Sequence, residues 1–240
     1  MGNSLLNYLN QRMQEDIPQG RGGKGLAGPV ITISREVGCN GLVIAHQLAN
    51  ELNKRKLTAD WKVLSKEIFY KSAQELQLDP EKIRRMFKKP DTQTFDHILK
   101  AFGDKRYKSE AKISNTVREV IRSLAVDGFN IIVGRAGNII ASDIKNALHL
   151  RFIAPMEYKV QTIMTNNSLN QNEAIAFIEK VEKERIAFRK MIKADAEQKS
   201  HFDLTINRAS FTDKQVVDLI IQAMEMKQIL VDYKMQVQYY

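Results

Sequence analysis

Cysteine is nearly missing from this chain. Cys39 is the only one in 240 residues, so an internal disulfide is excluded, and no cysteine–histidine cluster reaches the ligand count of a structural zinc site. The four histidines, His46, His97, His149 and His201, have no partners at ligand spacing, which leaves packing as their default role. Long apolar runs are missing too. None approaches the ~20 residues that span a bilayer, and the first thirty residues lack the basic start, apolar centre and small-residue cleavage site of a signal peptide. These absences predict a cytoplasmic protein with no membrane partner. Negative charge is the scarcer sign, with 28 Asp and Glu against 37 Lys and Arg and a formal net charge of +9. Such a surface attracts polyanions, whether nucleotide phosphates, nucleic acid or an acidic membrane face.

What remains is ordinary globular material. Hydrophobic residues make up 43% and charged residues 27% of the chain, enough for a real core, and the length suits one α/β domain with a short mobile subdomain and loose ends. The basic residues are dispersed, as in Lys54-Arg55-Lys56, Arg84-Arg85 and Lys88-Lys89. Dispersed lysine on helices is more often a solvated face than a binding stripe, so nucleic acid carries low weight as a partner and nucleotides are expected instead. The polar, amphipathic-looking stretch Leu5 to Met13 is followed by the glycine-rich basic segment Gly20 to Gly25, which cannot pack a core, and together they read as tail and linker. Three units are expected: a tail and linker over 1–28, an α/β domain over 29–228, and a C-terminal extension over 229–240. The segment ending at Lys24 resembles a phosphate-binding loop only superficially, because such a loop follows a buried strand and opens a helix, whereas this one precedes the first strand.

From Pro29 the pattern changes. Val30 to Ile33 is a β-branched run, Gly38-Cys-Asn-Gly41 is a glycine turn, and Leu42 to Leu52 carries apolar residues at helical spacing. Backbone N–H groups in such a turn, with the positive end of the next helix dipole, form a concavity suited to phosphate. A plain tight turn is the competing reading. Further on, Ala59 to Val63 is expected as a second strand or edge and Lys66 to Leu76 as a helix. Asp79-Pro80 caps a basic helix through Phe87, and Lys112 to Ala125 reads as a helix ending at Asp127-Gly128. Phe129 to Val133 is a buried strand leading into a second glycine turn, Gly134-Arg135-Ala136-Gly137. Leu148 to Ala154 follows as a third. Glu157 to Met164 and Asn172 to Ile192 read as helices, Phe202 to Asn207 as a late strand, and Thr212 as the cap of a final helix with Val216, Val217, Leu219, Ile220 and Met224 inward. Strands alternating with helices argue for a parallel sheet whose glycine turns line one crevice.

The stretch Ile31-Thr-Ile-Ser-Arg-Glu-Val-Gly-Cys-Asn-Gly-Leu-Val-Ile-Ala45 resembles the opening of the cytidylate kinase-like family of P-loop kinases. Ile131-Ile-Val-Gly-Arg135 is similar to that family's apolar strand ending in Gly-Arg, Leu150 to Pro155 to its next core strand, and Phe202 to Asn207 to the strand after its lid. The resemblance covers roughly residues 29 to 225. It implies a P-loop NTPase-like, three-layer α/β fold, a parallel sheet flanked by helices with a small helical lid, and transfer of the γ-phosphoryl of ATP to a nucleoside monophosphate such as CMP, with Mg²⁺ accompanying ATP. It assigns Gly38, Cys39, Asn40 and Gly41 to the donor phosphates, Arg135 to the acceptor phosphate, and Arg185 with Arg189 to a closing lid.

A full phosphate-binding loop ends in a lysine for the β/γ-phosphates and a hydroxyl for Mg²⁺. Here Leu42 and Val43 hold those places. The family's lysine-free form resembles Ser-Arg-Glu-x-Gly-x-Gly-Gly, and this chain puts Asn40 in place of one glycine; it also has Ala136 where cytidylate kinases resemble Gly-Arg-Asp. Arg35 stands just before the loop as the candidate replacement charge, with Glu36 or Ser34 as a Mg²⁺ contact; an ordinary surface pair of Arg35 and Glu36 is the plain alternative. Three functional readings follow: a nucleotide kinase, a nucleotide-binding or regulatory module with degraded catalysis, and last a basic nucleic-acid-associated protein.

Overall fold

The structure is a computed structural model and describes residues 28–55, 57, 59–65, 110–193 and 201–230. The helices expected over Lys66 to Leu76 and Asp79 to Phe87, and the N-terminal tail, lie outside those residues. Five strands, β1 Val30–Arg35, β2 Lys62–Leu64, β3 Asn130–Val133, β4 Ala147–Ile153 and β5 Leu204–Asn207, form one sheet in the order β2-β3-β1-β4-β5. Every pairing is parallel, as the near-continuous apolar runs of β1, β3 and β4 require of strands covered on both faces.

The period of two along each strand sorts the side chains into two layers. Ile31 and Ile33, Ile131 and Val133, and Leu148, Leu150 and Phe152 share one buried cluster with residues of α1 (Gly41–Asn53) and α6 (Asp213–Met226). On the opposite face, a Cβ placed on Gly137 would touch Ile132 Cγ2 at 3.0 Å and Thr32 Cγ2 at 3.4 Å, so the short α3 (Gly137–Ile140) lies directly on the sheet. The helix α2 (Glu110–Asp127) packs on β3 and α3. Helices on both faces of a parallel sheet give the three layers expected from the sequence. Over one end of that sheet, α4 (Met156–Asn167) and α5 (Gln171–Lys193) pack as a hairpin.

Some expectations change at the element level. The strand expected over Ala59 to Val63 is the shorter Lys62–Leu64, because Trp61 ahead of it is tied by its backbone to the side chain of Asn53 and turns edge-on to Phe129. Thr212 does cap α6, with a full capping box to Gln215. Leu219 is not inward: it is partly exposed, while Val216, Val217, Ile220 and Met224 form the buried stripe. Ile229 and Leu230 join the main core, so the packed unit runs past 228. At the end of β5, Arg208 is 1% exposed. It pairs with Asp213 at the start of α6, donates to the Phe211 carbonyl at 3.2 Å and lies over the Phe152 ring. Among the described residues, no helix is long and apolar enough to cross a membrane.

Candidate active site

The carboxyl ends of β1, β3 and β4 open into a cavity of about 860 Å³ roofed by α4 and α5. Its first wall is the connection from β1 to α1. Glu36 N–H still bonds to the Phe152 carbonyl at 3.0 Å, the last rung of the ladder, and then the chain leaves the sheet. Gly38 has φ +83 and sits so close to α4 that an added Cβ would lie 2.8 Å from Lys159 Cα. Asn40, in the place of a family glycine, takes the left-handed conformation with φ 47 and ψ 34. Asparagine is among the few L-residues that adopt it readily, so the turn keeps its shape without the glycine. The first amide of α1 to bond backward is that of Ile44, to Asn40 O. The amides of Gly41, Leu42 and Val43 are therefore the unsatisfied donors of a helix start, and all three residues line the cavity.

The second wall follows β3. Gly134, Arg135 and Ala136 have φ of 77, 57 and 55 in succession, three left-handed residues that swing the chain from the strand into α3. Two of them are not glycine, a strain of the kind that concentrates at functional sites. Arg35 lies between the walls. Its stem crosses Gly41, and a Cβ on Gly134 would collide with its Nη1. Both glycines thus make room for one arginine.

Three guanidiniums meet here. Burial first, then the charges of Arg185 and Arg135, press the pKa of Arg35 well below its ordinary range, and among the described residues no ion pair joins Arg35 to a carboxylate. Arg185 donates from Nη1 to the Arg35 carbonyl at 2.9 Å; its own pKa is lowered by burial, against the opposing pull of Glu182. Around the cavity stand Arg35, Arg135, Arg151, Lys159, Arg185 and Arg189 against Glu36, Glu182 and Glu184. The lining therefore carries an excess of three positive charges. Like charges crowded in a half-buried space repel one another until an anion arrives, and the set is chemically suited to phosphate-like charge.

Glu36 faces the same space, but its carboxylate is already engaged by Lys159 at 3.1 Å, Arg151 at 3.6 Å and the Ala154 amide at 3.4 Å. The surface pair of Arg35 and Glu36 is not what forms. No group of three or more His, Cys, Asp or Glu able to hold a metal occurs among the described residues. With ATP, Mg²⁺ is usually held by one or two protein oxygens together with substrate phosphates and water, so such a cluster is not required of an ATP site.

Of the residues singled out in the sequence, Arg35, Gly38, Asn40, Gly41, Arg135, Arg185 and Arg189 all line the cavity. Cys39 does not. Its side chain is in the main core, its amide turns back to Glu36 O at 3.3 Å, and burial with the nearby Glu36 carboxylate pushes its thiol up to about 11. Its contribution is a small buried anchor rather than a phosphate contact or a thiolate. Glu182, Arg151 and Lys159 went unnoticed in the sequence. Each bonds across more than a hundred residues or faces a partner from another element, and in a charged helix such as α5 nothing marks Glu182 apart from its solvated neighbours.

A solved structure of an uncharacterized protein from Eubacterium ventriosum superposes with a TM-score of 0.57 at 20% identity, covering 82% of this chain and 98% of that one. Shikimate kinase from Bacteroides thetaiotaomicron reaches a TM-score of 0.47 at 10% identity, over 82% of this chain and 98% of its own. A uronate isomerase from Corynebacterium glutamicum is 28% identical over 100 residues, 41% of this chain. The chain spans about a fifth of that enzyme's length, the matched share being 19%. The sequence pattern of the cytidylate kinase-like family matches residues 30–210. That span takes in all five strands, both glycine turns and the α4–α5 hairpin, and the chain belongs to the cytidylate kinase-like family.

Proposed function

We propose that this kinase-like protein binds ATP in the cavity and moves its γ-phosphoryl group to a nucleoside monophosphate, CMP-like in type. The observation that carries this reading is the approach of Arg35, Arg135 and Arg185 from three separate elements to one half-buried cavity. Phosphoryl transfer passes through a loose transition state with charge on the non-bridging oxygens, so it needs positioned positive charge rather than covalent groups. In this reading Gly38, Asn40 and Gly41, anchored by the buried Cys39, together with the free amides opening α1 hold the donor phosphates. Arg35 supplies the charge of the absent lysine. Arg135 takes the acceptor phosphate, and Arg185 and Arg189 cover both from α5. Mg²⁺ bound to ATP would neutralise phosphate charge, and no protein step here depends on it.

One feature favours a second reading, a nucleotide-binding or regulatory module without turnover. Leu42 and Val43, 43% and 46% exposed, present apolar surface where a lysine and a hydroxyl would stand. A thermal-shift screen over nucleoside mono-, di- and triphosphates with and without Mg²⁺, followed by a coupled ADP-release assay with each monophosphate, separates the two. Ligand at 100 times its Kd stabilises by ~2.7 kcal/mol, which for a chain of this size is a rise of ~5–10 °C in Tm. Binding with ADP release supports the kinase, binding alone the module, and no shift with any nucleotide would refute both.

A further inference from the structure

The turn between β1 and α1 is not held by its own residues. Beyond Glu36 the Val37 amide has no strand to bond to, and Val37 itself is buried. Its N–H donates to Glu182 Oε1 at 2.6 Å, from a residue 145 positions later. One helical turn further on, Arg185 donates to the Arg35 carbonyl and approaches the same Glu182 oxygen at 3.5 Å. So α5 grips both sides of the peptides flanking Glu36, taking a donor with Glu182 and supplying one with Arg185. Apolar packing reinforces the grip, since Val37 shares a buried cluster with Ile163, Ala174 and Ile178 of the hairpin.

We propose that Glu182 is a positioning residue for the anion site: its carboxylate fixes the β1–α1 turn through the Val37 amide and orients the Arg185 guanidinium beside Arg35. This rests on the nucleotide reading for its ligand, though not for its geometry. Two effects of opposite sign meet at Glu182. Glu182 is a carboxylate in a cavity meant for anions, so deleting it raises the positive charge, and electrostatics alone would tighten binding of ATP. A positioning role requires the reverse, because the deletion leaves a buried donor unsatisfied and the turn free to shift.

The test uses the full chain with Glu182→Ala and Glu182→Gln, ATP as the titrated probe, and hydrogen exchange of the Val37 amide. Glutamine keeps an oxygen for Val37 but no charge. The expected results are at least ~10-fold weaker ATP binding and faster Val37 exchange in Glu182→Ala, with both restored to within ~3-fold of wild type in Glu182→Gln. Unchanged Val37 exchange in both variants overturns the latch whatever the ligand. Faster exchange with equal or tighter ATP binding overturns the positioning role. Should the alanine variant fail to fold, glutamine decides alone: it must fold, keep Val37 protected and bind ATP within ~3-fold of wild type, and failure in any of the three refutes the proposal. If wild type itself does not bind ATP, the nucleotide reading falls, and the exchange measurement still decides the latch.

Discussion

Arg35 is held among cations with its stem across Gly41 and its guanidinium against Gly134. That placement makes its stability role and its binding role separable. Arg35→Met keeps the stem and removes a part-buried charge crowded by Arg185 and Arg135; relief of that repulsion should let the ligand-free Tm hold or rise. Turnover, if present in wild type, should fall ~10²–10³-fold in Arg35→Met, the usual loss on removing one strong charge-stabilising contact. Arg35→Lys should recover only part of it, since an ammonium cannot reproduce the guanidinium fork. A drop in ligand-free Tm, with ATP affinity unchanged, would make Arg35 a structural residue instead. Residue by residue, the sequence disclosed the arginines but not why they stand where they do. Arg135 follows an apolar run and Gly134, which is readable; that Gly134 must lack a side chain because Arg35 occupies the space is a contact across about a hundred residues, and no local pattern encodes it.

At the scale of elements, the two glycine turns respond differently to a methyl group. Gly38→Ala drives a Cβ to 2.8 Å from Lys159 Cα and 2.9 Å from its carbonyl oxygen. That is helix backbone, which cannot step aside, and φ is +83 as well; a loss of ~2–4 kcal/mol is expected from overpacking and left-handed strain together. Gly134→Ala meets only the tip of a flexible arginine, so the loss in urea denaturation should be ~1–2 kcal/mol, mainly from the left-handed backbone, while ATP affinity falls as Arg35 is displaced. Equal losses in the two variants would refute this distinction. A second element-level consequence lies between β1 and β4, where Thr32 Oγ1 meets His149 Nδ1 at 2.8 Å inside the sheet. Burial is the main cause that lowers the pKa of His149, with Asp203 opposing and Lys227 assisting. The unfolded chain therefore takes up this proton first. Stability from His149 is complete above its ordinary value of ~6.5 and declines as pH falls from there toward the lowered folded value. Asp203 is held below the ordinary carboxylate range by the His149 amide and Lys227, against its burial, and so titrates only in stronger acid. Urea midpoints should drop between pH 7 and 5.5 in wild type, and the slope should flatten in His149→Asn. The strands themselves were legible because β1, β3 and β4 are buried on both faces; β2, three residues with Lys62 exposed, has too little apolar pattern to fix its limits.

Seen as a whole molecule, the sheet is assembled from distant pieces. Its central strand pairs with β3 from Val30 to Asn130 and with β4 from Val30 to Ala147, and the cavity then waits for α5 to bring Glu182 and Arg185 across it. Fold class could be read in advance because strand and helix periods alternate along the chain and each needs only local sequence. The hairpin's grip on the first turn could not, since it joins two segments that nothing in between aligns. That arrangement bears on when a ligand can act in the life of the chain. Non-local parallel pairing is slow to form, and the parts that would hold ATP lie on segments as distant as Arg35, Arg135 and Arg185. A folding transition state lacking α5 in place would offer the nucleotide an incomplete site, without Arg185 and Arg189. Saturating ATP should therefore leave the refolding rate in stopped-flow unchanged and slow unfolding alone, whereas a refolding rate that climbs with ATP would mean that the arginines gather before the chain has finished folding.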